Sequence, residues 1–445
     1  MNNPKPFSPT GSAKKDPTVD ITRAILERVF KDAIQKGCAF RLWDDQTLFV
    51  TGESKPVATI HLTHPGALRK MFLPPGELTL GEAYLRGDYD IEGDIVEVMQ
   101  LITMIDALSS KDLLYLFKQV LKLPNSDPPQ IFREGRQPAR LAGALHSRDR
   151  DRLAVTYHYD TGNEFYQLFL GQWMTYSCAY FSTPQTDLDT AQEAKLNYLC
   201  RKLRLRPGER LLDIGCGWGG LVGYAARKYG VRSLGITLSE PQVEYGNEWL
   251  RKVGLSERAR LEVRDYRDMA SYEPFDKIVS VGMFEHIGRK KQAEYFDCAF
   301  RALRPGGLFL NHGIADQSLH RPSWFEKTFI QRGQFSNRYV FPDGEVIPIS
   351  EALMVAERAG FEVRDVESLR EHYALTLRHW IKNLETNHSE VLRLKDERTY
   401  RTWRLFMSAS AHGFESGDLN IFQALLSKST GGNAEIPITR KDLYY

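Results

Sequence analysis

The sequence predicts an α/β protein: a doubly wound sheet of parallel strands fills most of the chain, behind a small α+β domain. Three observations carry this expectation. Short apolar strand candidates recur from Leu211 onward with helical segments between them. The first of them runs into a glycine-rich turn that opens a helix. At 445 residues the chain is also too long for one ordinary core.

The order of elements follows from local pattern. Residues up to about Asp16 have little to bury, so 1–19 is expected to be disordered. Ile21, Ile25, Leu26, Val29 and Phe30 then line one helix face. AFRLW and LFVTG, separated by Asp44-Asp45-Gln46-Thr47, read as a hairpin, and ATIHLT as a third strand. Ile95 to Leu123 has helical apolar spacing, interrupted at Ser109–Ser110 and ended by Pro124. These elements make up a first domain at 20–130. Residues 131–152 carry Arg133, Arg136, Arg140, Arg148, Arg150 and Arg152 with few apolar positions. They read either as a solvated linker or as a contact for anionic phospholipid headgroups.

In the second domain, 153–445, the strands are RLLDIG, VRSLGITL, ARLEVRD, KIVSVGM and GLFLNHGI. Helices through Val222–Lys228 and Val243–Val253 separate the first three in the βαβ manner.

Composition narrows the partners. A net charge of +2 offers no global field for nucleic acid, and no concentrated basic face or Asn-Pro-Pro-aromatic motif is present. The five cysteines are scattered, odd in number and form no CxxC, which argues against a disulfide framework and against a metal site. No signal-peptide pattern opens the sequence and no run of about 18 apolar residues occurs. A cytoplasmic protein is expected.

Leu211-Leu212-Asp213-Ile214-Gly215-Cys216-Gly217-Trp218-Gly219-Gly220 is the strongest motif. Its glycines allow a tight turn and close approach of a ligand to the main chain. A dinucleotide would set its pyrophosphate here, which the acid Asp213 disfavours. S-adenosylmethionine (SAM) presents an ammonium and a sulfonium instead, so Asp213 fits it better. Arg304-Pro305-Gly306-Gly307 before the last strand agrees with a SAM-binding sheet of this kind. The second strand ends without the usual ribose-binding acid. Thr237 and Gln242 stand there as hydrogen-bonding alternatives.

Six separated motifs in one order resemble a single family, the cyclopropane-fatty-acyl-phospholipid synthases and their mycolic-acid cyclopropane synthase relatives. They are Tyr159-Asp160-Thr161-Gly162-Asn163, Tyr176-Ser177-Cys178-Ala179-Tyr180-Phe181, the glycine turn with Gly235-Ile236-Thr237-Leu238-Ser239, Gly282-Met283-Phe284-Glu285-His286-Ile287-Gly288, Asn311-His312-Gly313-Ile314, and His372-Tyr373-Ala374-Leu375-Thr376-Leu377. The similarity runs from His158 into the 420s. Gly81-Glu82-Ala83-Tyr84 with Gly87 extends it to the first domain of the long, phospholipid-modifying members.

The resemblance implies a Rossmann-like SAM methyltransferase. Its reaction transfers a methyl carbon to the cis double bond of an unsaturated phospholipid acyl chain and closes a cyclopropane. It also implies a bound bicarbonate ion held by Glu285, His312 and Tyr373 with main-chain groups at Cys178 and Ile314. In that reading Glu285 also helps to orient the histidine. Cys178 is not required as a nucleophile.

For the cofactor the resemblance implies Tyr176 and Ser177 near the methionine part, with Gly215 and Gly217 beneath it and Gly219 completing the turn. Thr237, Leu238 and Gln242 then meet the ribose, and Tyr266 and Arg267 flank the adenine. Asp265 is a further candidate, as acceptor for the adenine amino group. Trp324–Phe341, rich in Phe, stands where the family builds part of an acyl pocket. Long family members suggest a homodimer, and the first domain, 20–130, with the arginine-rich segment is expected to bring the protein to the inner face of the membrane. Rival readings are an enzyme that leaves a methyl or methylene branch, an amine methyltransferase on the same sheet, and a catalytically silent lipid binder.

Overall fold

The computed structural model describes residues 16–31, 34, 37–49, 56–99, 108–316, 333–432 and 436–444. The chain divides into two compact units that part between Phe132 and Arg133.

In the first unit, Asp16 accepts a hydrogen bond from the Thr18 amide and Pro17 takes the first helical position, so a helix runs Pro17–Val29. Residues 17–19, expected to be disordered, are therefore helical. Ile25, Leu26 and Val29 form its buried face. Strands β1 (Cys38–Arg41) and β2 (Thr47–Leu48) make the expected hairpin, with Phe40 opposite Leu48. β3 (Ala58–Leu62) lies parallel to β1. β4 (Tyr89–Gly93) runs antiparallel to β3 and was not expected, because only Tyr89 and Ile91 turn inward from its charged sequence. Ser109 accepts from the Asp112 amide and begins the helix Ser110–Val120, which accounts for the interruption in the apolar pattern.

The second unit is built on a seven-stranded sheet. Its strands are β5 (Arg210–Ile214), β6 (Arg232–Thr237), β7 (Ala259–Val263), β8 (Phe275–Val281), β9 (Leu303–Asp316), β10 (Glu362–Ser368) and β11 (Leu419–Ser427), in the order β10-β11-β9-β8-β5-β6-β7. β5 to β9 are the five strands expected from sequence and are mutually parallel. The sheet is mixed rather than wholly parallel, since β11 inserts antiparallel between β9 and β10. Strand alternation sends Leu212, Ile214 and Phe309 into the apolar cluster on one face. Leu211, Leu308 and Leu310 enter the cluster on the other.

Within the arginine-rich segment Arg136 and Arg150 are half-buried and Arg148 is paired at the surface, while Arg133, Arg140 and Arg152 are exposed. Arg136 donates to the Tyr339 carbonyl, to the Thr161 hydroxyl at 2.9 Å and to the Tyr157 carbonyl at 3.0 Å. Arg150 forms a two-pronged pair with Asp343, and Arg148 does so with Asp268. Ser147 caps a helix, Arg148–Tyr159, so ordered structure starts within the span assigned to a linker. Guanidinium groups satisfied in this way are less available to headgroups.

Candidate functional site

A cavity opens at the C-terminal ends of the parallel strands, where open α/β sheets place their ligands. Ile214, Gly215 and Gly217 form its wall after β5, Ile236, Thr237 and Leu238 after β6, and Gly282 and Met283 after β8. The turn is held by Gly215 and Cys216 amides that donate to the Ile236 carbonyl at 2.8 and 3.1 Å. Gly215 has φ of +77°, and a Cβ on it would lie 2.6 Å from that of Met283. The glycine is required twice over, by conformation and by space.

Of the expected cofactor residues, Gly215, Gly217, Thr237, Leu238, Gln242 and Tyr266 line this cavity. The Thr237 hydroxyl donates to Gln242 Oε1 at 2.9 Å, and Gln242 Nε2 is buried without a hydrogen-bond partner. That leaves a donor suited to a ligand hydroxyl. Asp265 lines the cavity too, but its carboxylate accepts from the amide and guanidinium of Arg267.

Gly219, Asp213, Tyr176, Ser177 and Arg267 are not among the residues that line the cavity. Arg267 pairs with Asp151 and Asp265. Asp213 is buried, and desolvation lifts its carboxyl to about 7 against the pull of Lys195. Ser177 accepts from Lys195 Nζ at 2.8 Å. Tyr176 stacks on Trp380, with ring centres 5.2 Å apart.

Sequence reasoning missed the helix side of the cavity, formed by Asp151, Ala154, Val155 and Tyr159. The signal was present: a Ser147 cap, acids at 149 and 151, then Ala154 and His158 buried at helical spacing. Residues 324–332 of the proposed acyl-pocket segment lie outside the described residues. The remainder forms a helix, Gln334–Tyr339, that buries Phe335 and Tyr339. Rings in the stretch from Tyr157 to Phe181 largely build core, with Phe165, Tyr166 and Phe169 fully buried and all within 6.1 Å of the Trp403 ring.

The residues expected to hold an anion are each buried near the C-terminal ends of β8 and β9 or on the helix Arg370–Thr386. Glu285 follows β8 in a short 3-10 turn, Phe284–His286, and its Oε1 accepts from the Ile314 amide at the end of β9. Its Oε2 is buried without a partner, and burial lifts the carboxyl to about 7. The Ile314 amide is thus engaged by Glu285 itself. His312, two residues back on the same face of β9, is fully buried. Its Nδ1 meets Gln423 Nε2 at 3.1 Å, and its Nε2 has no partner. The histidine is therefore oriented by Gln423 and not by Glu285, as the sequence reading had it. Tyr373 is buried beside Trp380 and Phe414, and its phenol lies within electrostatic reach of Tyr176, Cys178 and Glu285. The Cys178 thiol donates to the Ala179 carbonyl, and burial pushes its ionisation well above the usual thiol range. It is an inert thiol.

A family model described as mycolic acid cyclopropane synthetase matches residues 146–424. The chain belongs to this family of SAM-dependent methyltransferases. A second model, a domain of unknown function, matches 25–109. A probable fatty acid methyltransferase of Pseudomonas putida is 42% identical over 408 residues, spanning 91% of this chain and 95% of that protein. The cyclopropane-fatty-acyl-phospholipid synthase of Escherichia coli K12 is 33% identical over 375 residues, 83% of this chain and 88% of the relative.

Among solved structures, the cyclopropane synthase MmaA2 from Mycobacterium tuberculosis aligns with a TM-score of 0.58 at 31% identity, covering 64% of this chain and 99% of that one. Mycolic acid cyclopropane synthase CmaA1, complexed with SAH and CTAB, aligns at 0.57 and 34% identity, covering 62% and 97%. Both share the sheet that carries the cavity. Lower likenesses, such as a coclaurine N-methyltransferase at 22% identity, reflect the fold alone.

Proposed function

We propose that the protein transfers the methyl carbon of SAM to the cis double bond of unsaturated phospholipid acyl chains and closes it to a cyclopropane. The observation that carries this reading is that His312 Nε2, on β9, and Glu285 Oε2, just after the neighbouring β8, are both buried without a partner. A buried donor and acceptor without partners are costly unless a ligand satisfies them. A bicarbonate ion fits: it accepts from His312 and Tyr373 and offers a hydroxyl to Glu285, and when bound it supplies the base for loss of a proton from the new methyl group. Direct methylation of an amine needs no such site.

The chain's own residues have three tasks. The glycine turn with Thr237 and Gln242 holds the nucleoside so that the sulfonium faces the alkene, which is a weak nucleophile and depends on alignment. Buried aromatic rings packed around Tyr176 keep water from a cationic intermediate. Glu285, His312 and Tyr373 hold the anion. Contact with lipid belongs to the first unit, whose helix Ser110–Val120 exposes Leu114 and Phe117, with Leu121 just beyond it.

One alternative has a specific support: the 42% identity to a probable fatty acid methyltransferase favours an enzyme that leaves a methyl or methylene branch. Incubation with SAM and unsaturated phospholipid vesicles, followed by gas chromatography–mass spectrometry and proton NMR, separates the two. The expected product gains one CH2, loses the olefin and shows ring protons. A branched product moves the assignment to the alternative, and no lipid product overturns both.

A further inference from the structure

Behind His312 lies a buried polar chain that the proposed reaction has not yet used. Lys202, at the end of the helix Leu188–Lys202, is 1% exposed. Its ammonium donates to Glu367 on β10 and, at 2.9 Å, to Gln423 Oε1 on β11. The Tyr198 hydroxyl donates to the same Glu367 carboxylate at 2.8 Å. Gln423 is in register with His312 across the β9–β11 pair, and its Nε2 lies 3.1 Å from His312 Nδ1.

The chemistry of the donors fixes every orientation along this chain. An ammonium has only protons to give, so the amide atom facing Lys202 must be oxygen. The other end of the amide is then NH2, which likewise only donates. The histidine nitrogen opposite must accept and cannot carry a proton. We propose that Glu367, Lys202 and Gln423 are positioning residues that lock His312 as the neutral tautomer with its proton on Nε2, aimed at the anion site as a fixed donor.

The inference rests on the reading that an anion sits beside Glu285 and His312, and it sharpens that reading. With Nδ1 accepting and Nε2 already protonated, His312 has no free lone pair with which to take the substrate proton. Its task is to hold the anion. Desolvation, with Lys195 and Lys202 nearby, keeps the imidazole from charging and works in the same direction.

The test is the tautomer itself. In full-length protein carrying 15N-histidine, two-bond proton–nitrogen correlation spectra report which ring nitrogen bears the proton, and His312→Gln identifies the signal by its loss. The expected pattern is an unprotonated Nδ1 and a protonated Nε2. In Gln423→Glu a carboxylate faces the ring, and the proton should appear on Nδ1. The variant's turnover should fall on the order of tenfold or more while its KM for SAM is unchanged. A wild-type His312 with a protonated Nδ1 overturns the proposal even if Gln423→Glu fails to fold. If the wild-type tautomer is as stated but no lipid product forms, the positioning chain stands and the assigned reaction falls.

Discussion

Glu285 illustrates how one side chain can be read in two states. Oε1 is satisfied by the Ile314 amide and Oε2 is buried without a partner, with the carboxyl lifted to about 7 by desolvation. In the unfolded chain the same group titrates near the ordinary value of 4.5. Between those two values the folded protein binds more protons than the unfolded one, so stability falls with rising pH. Glu285 contributes most below 4.5, and its contribution is lost as pH rises through about 7. Glu285→Gln keeps an oxygen for Ile314 and removes the titration. In urea unfolding without ligands, the wild type should lose on the order of 1–3 kcal/mol relative to the variant between pH 5 and pH 8. Parallel pH curves for the two proteins would show that Glu285 is not desolvated in this way. The same substitution should lower product formation by on the order of a hundredfold, measured by the lipid assay, because the anion loses its partner. Glu285, His312 and Tyr373 were legible from motifs, whereas Gln423 was not: 111 residues separate it from His312, and only the β9–β11 register joins them.

Elements position these residues through close main-chain packing, most tightly at Gly220. A Cβ there would lie 2.4 Å from the Trp173 carbonyl and 2.9 Å from the Thr175 methyl, just before Tyr176 and Ser177. Gly220→Ala should therefore push the segment 173–177 away from the helix Gly220–Tyr229, at a cost of about 1–3 kcal/mol. SAM affinity should weaken about tenfold in titration calorimetry, and an unchanged Kd would detach this segment from the cofactor site. Arg136 ties 133–140 to the helix Arg148–Tyr159 and to Tyr339. Arg136→Met should cost about 1–3 kcal/mol in urea unfolding by leaving the part-buried Tyr157 carbonyl unpaired and the Tyr339 carbonyl with only the Tyr157 hydroxyl, and a neutral result would return the segment to the status of a linker. Legibility follows the same physics. β5 to β9 were readable because strands buried on both faces are continuous apolar runs. β10, Glu362–Ser368, has mostly polar positions, and β11 follows a long helix with no βαβ pattern to announce it. Arg136 and Arg150 looked like solvated charge because their acceptors, the Tyr339 carbonyl and Asp343, lie about 200 residues away.

At the scale of the whole molecule, the proposed function requires the protein to meet acyl chains, and no helix among the described residues is long and apolar enough to cross a membrane. With Arg136, Arg148 and Arg150 paired within the chain, the segment keeps Arg133, Arg140 and Arg152 exposed for anionic headgroups, and we propose a second source of attraction. The helix Ser110–Val120 offers it. Leu116 and Val120 anchor one side, while Leu114, Phe117 and Leu121 are 54%, 45% and 44% exposed on another. Lys111, Lys118 and Lys122 are exposed among them. Apolar residues at i, i+3 and i+7 with interspersed lysines suit the interfacial face we propose, on which lysine stems lie along the apolar surface while their charges meet phosphates. Replacing Leu114, Phe117 and Leu121 with Ser should reduce partitioning onto phosphatidylglycerol vesicles about tenfold in co-sedimentation. Replacing the three lysines with Gln should remove much of the salt dependence. These positions are exposed, so SAM binding and turnover on detergent-dispersed phospholipid should be unchanged while turnover on vesicles drops. Equal activity on vesicles and dispersed lipid in all variants would mean that this face does not deliver the enzyme to its substrate.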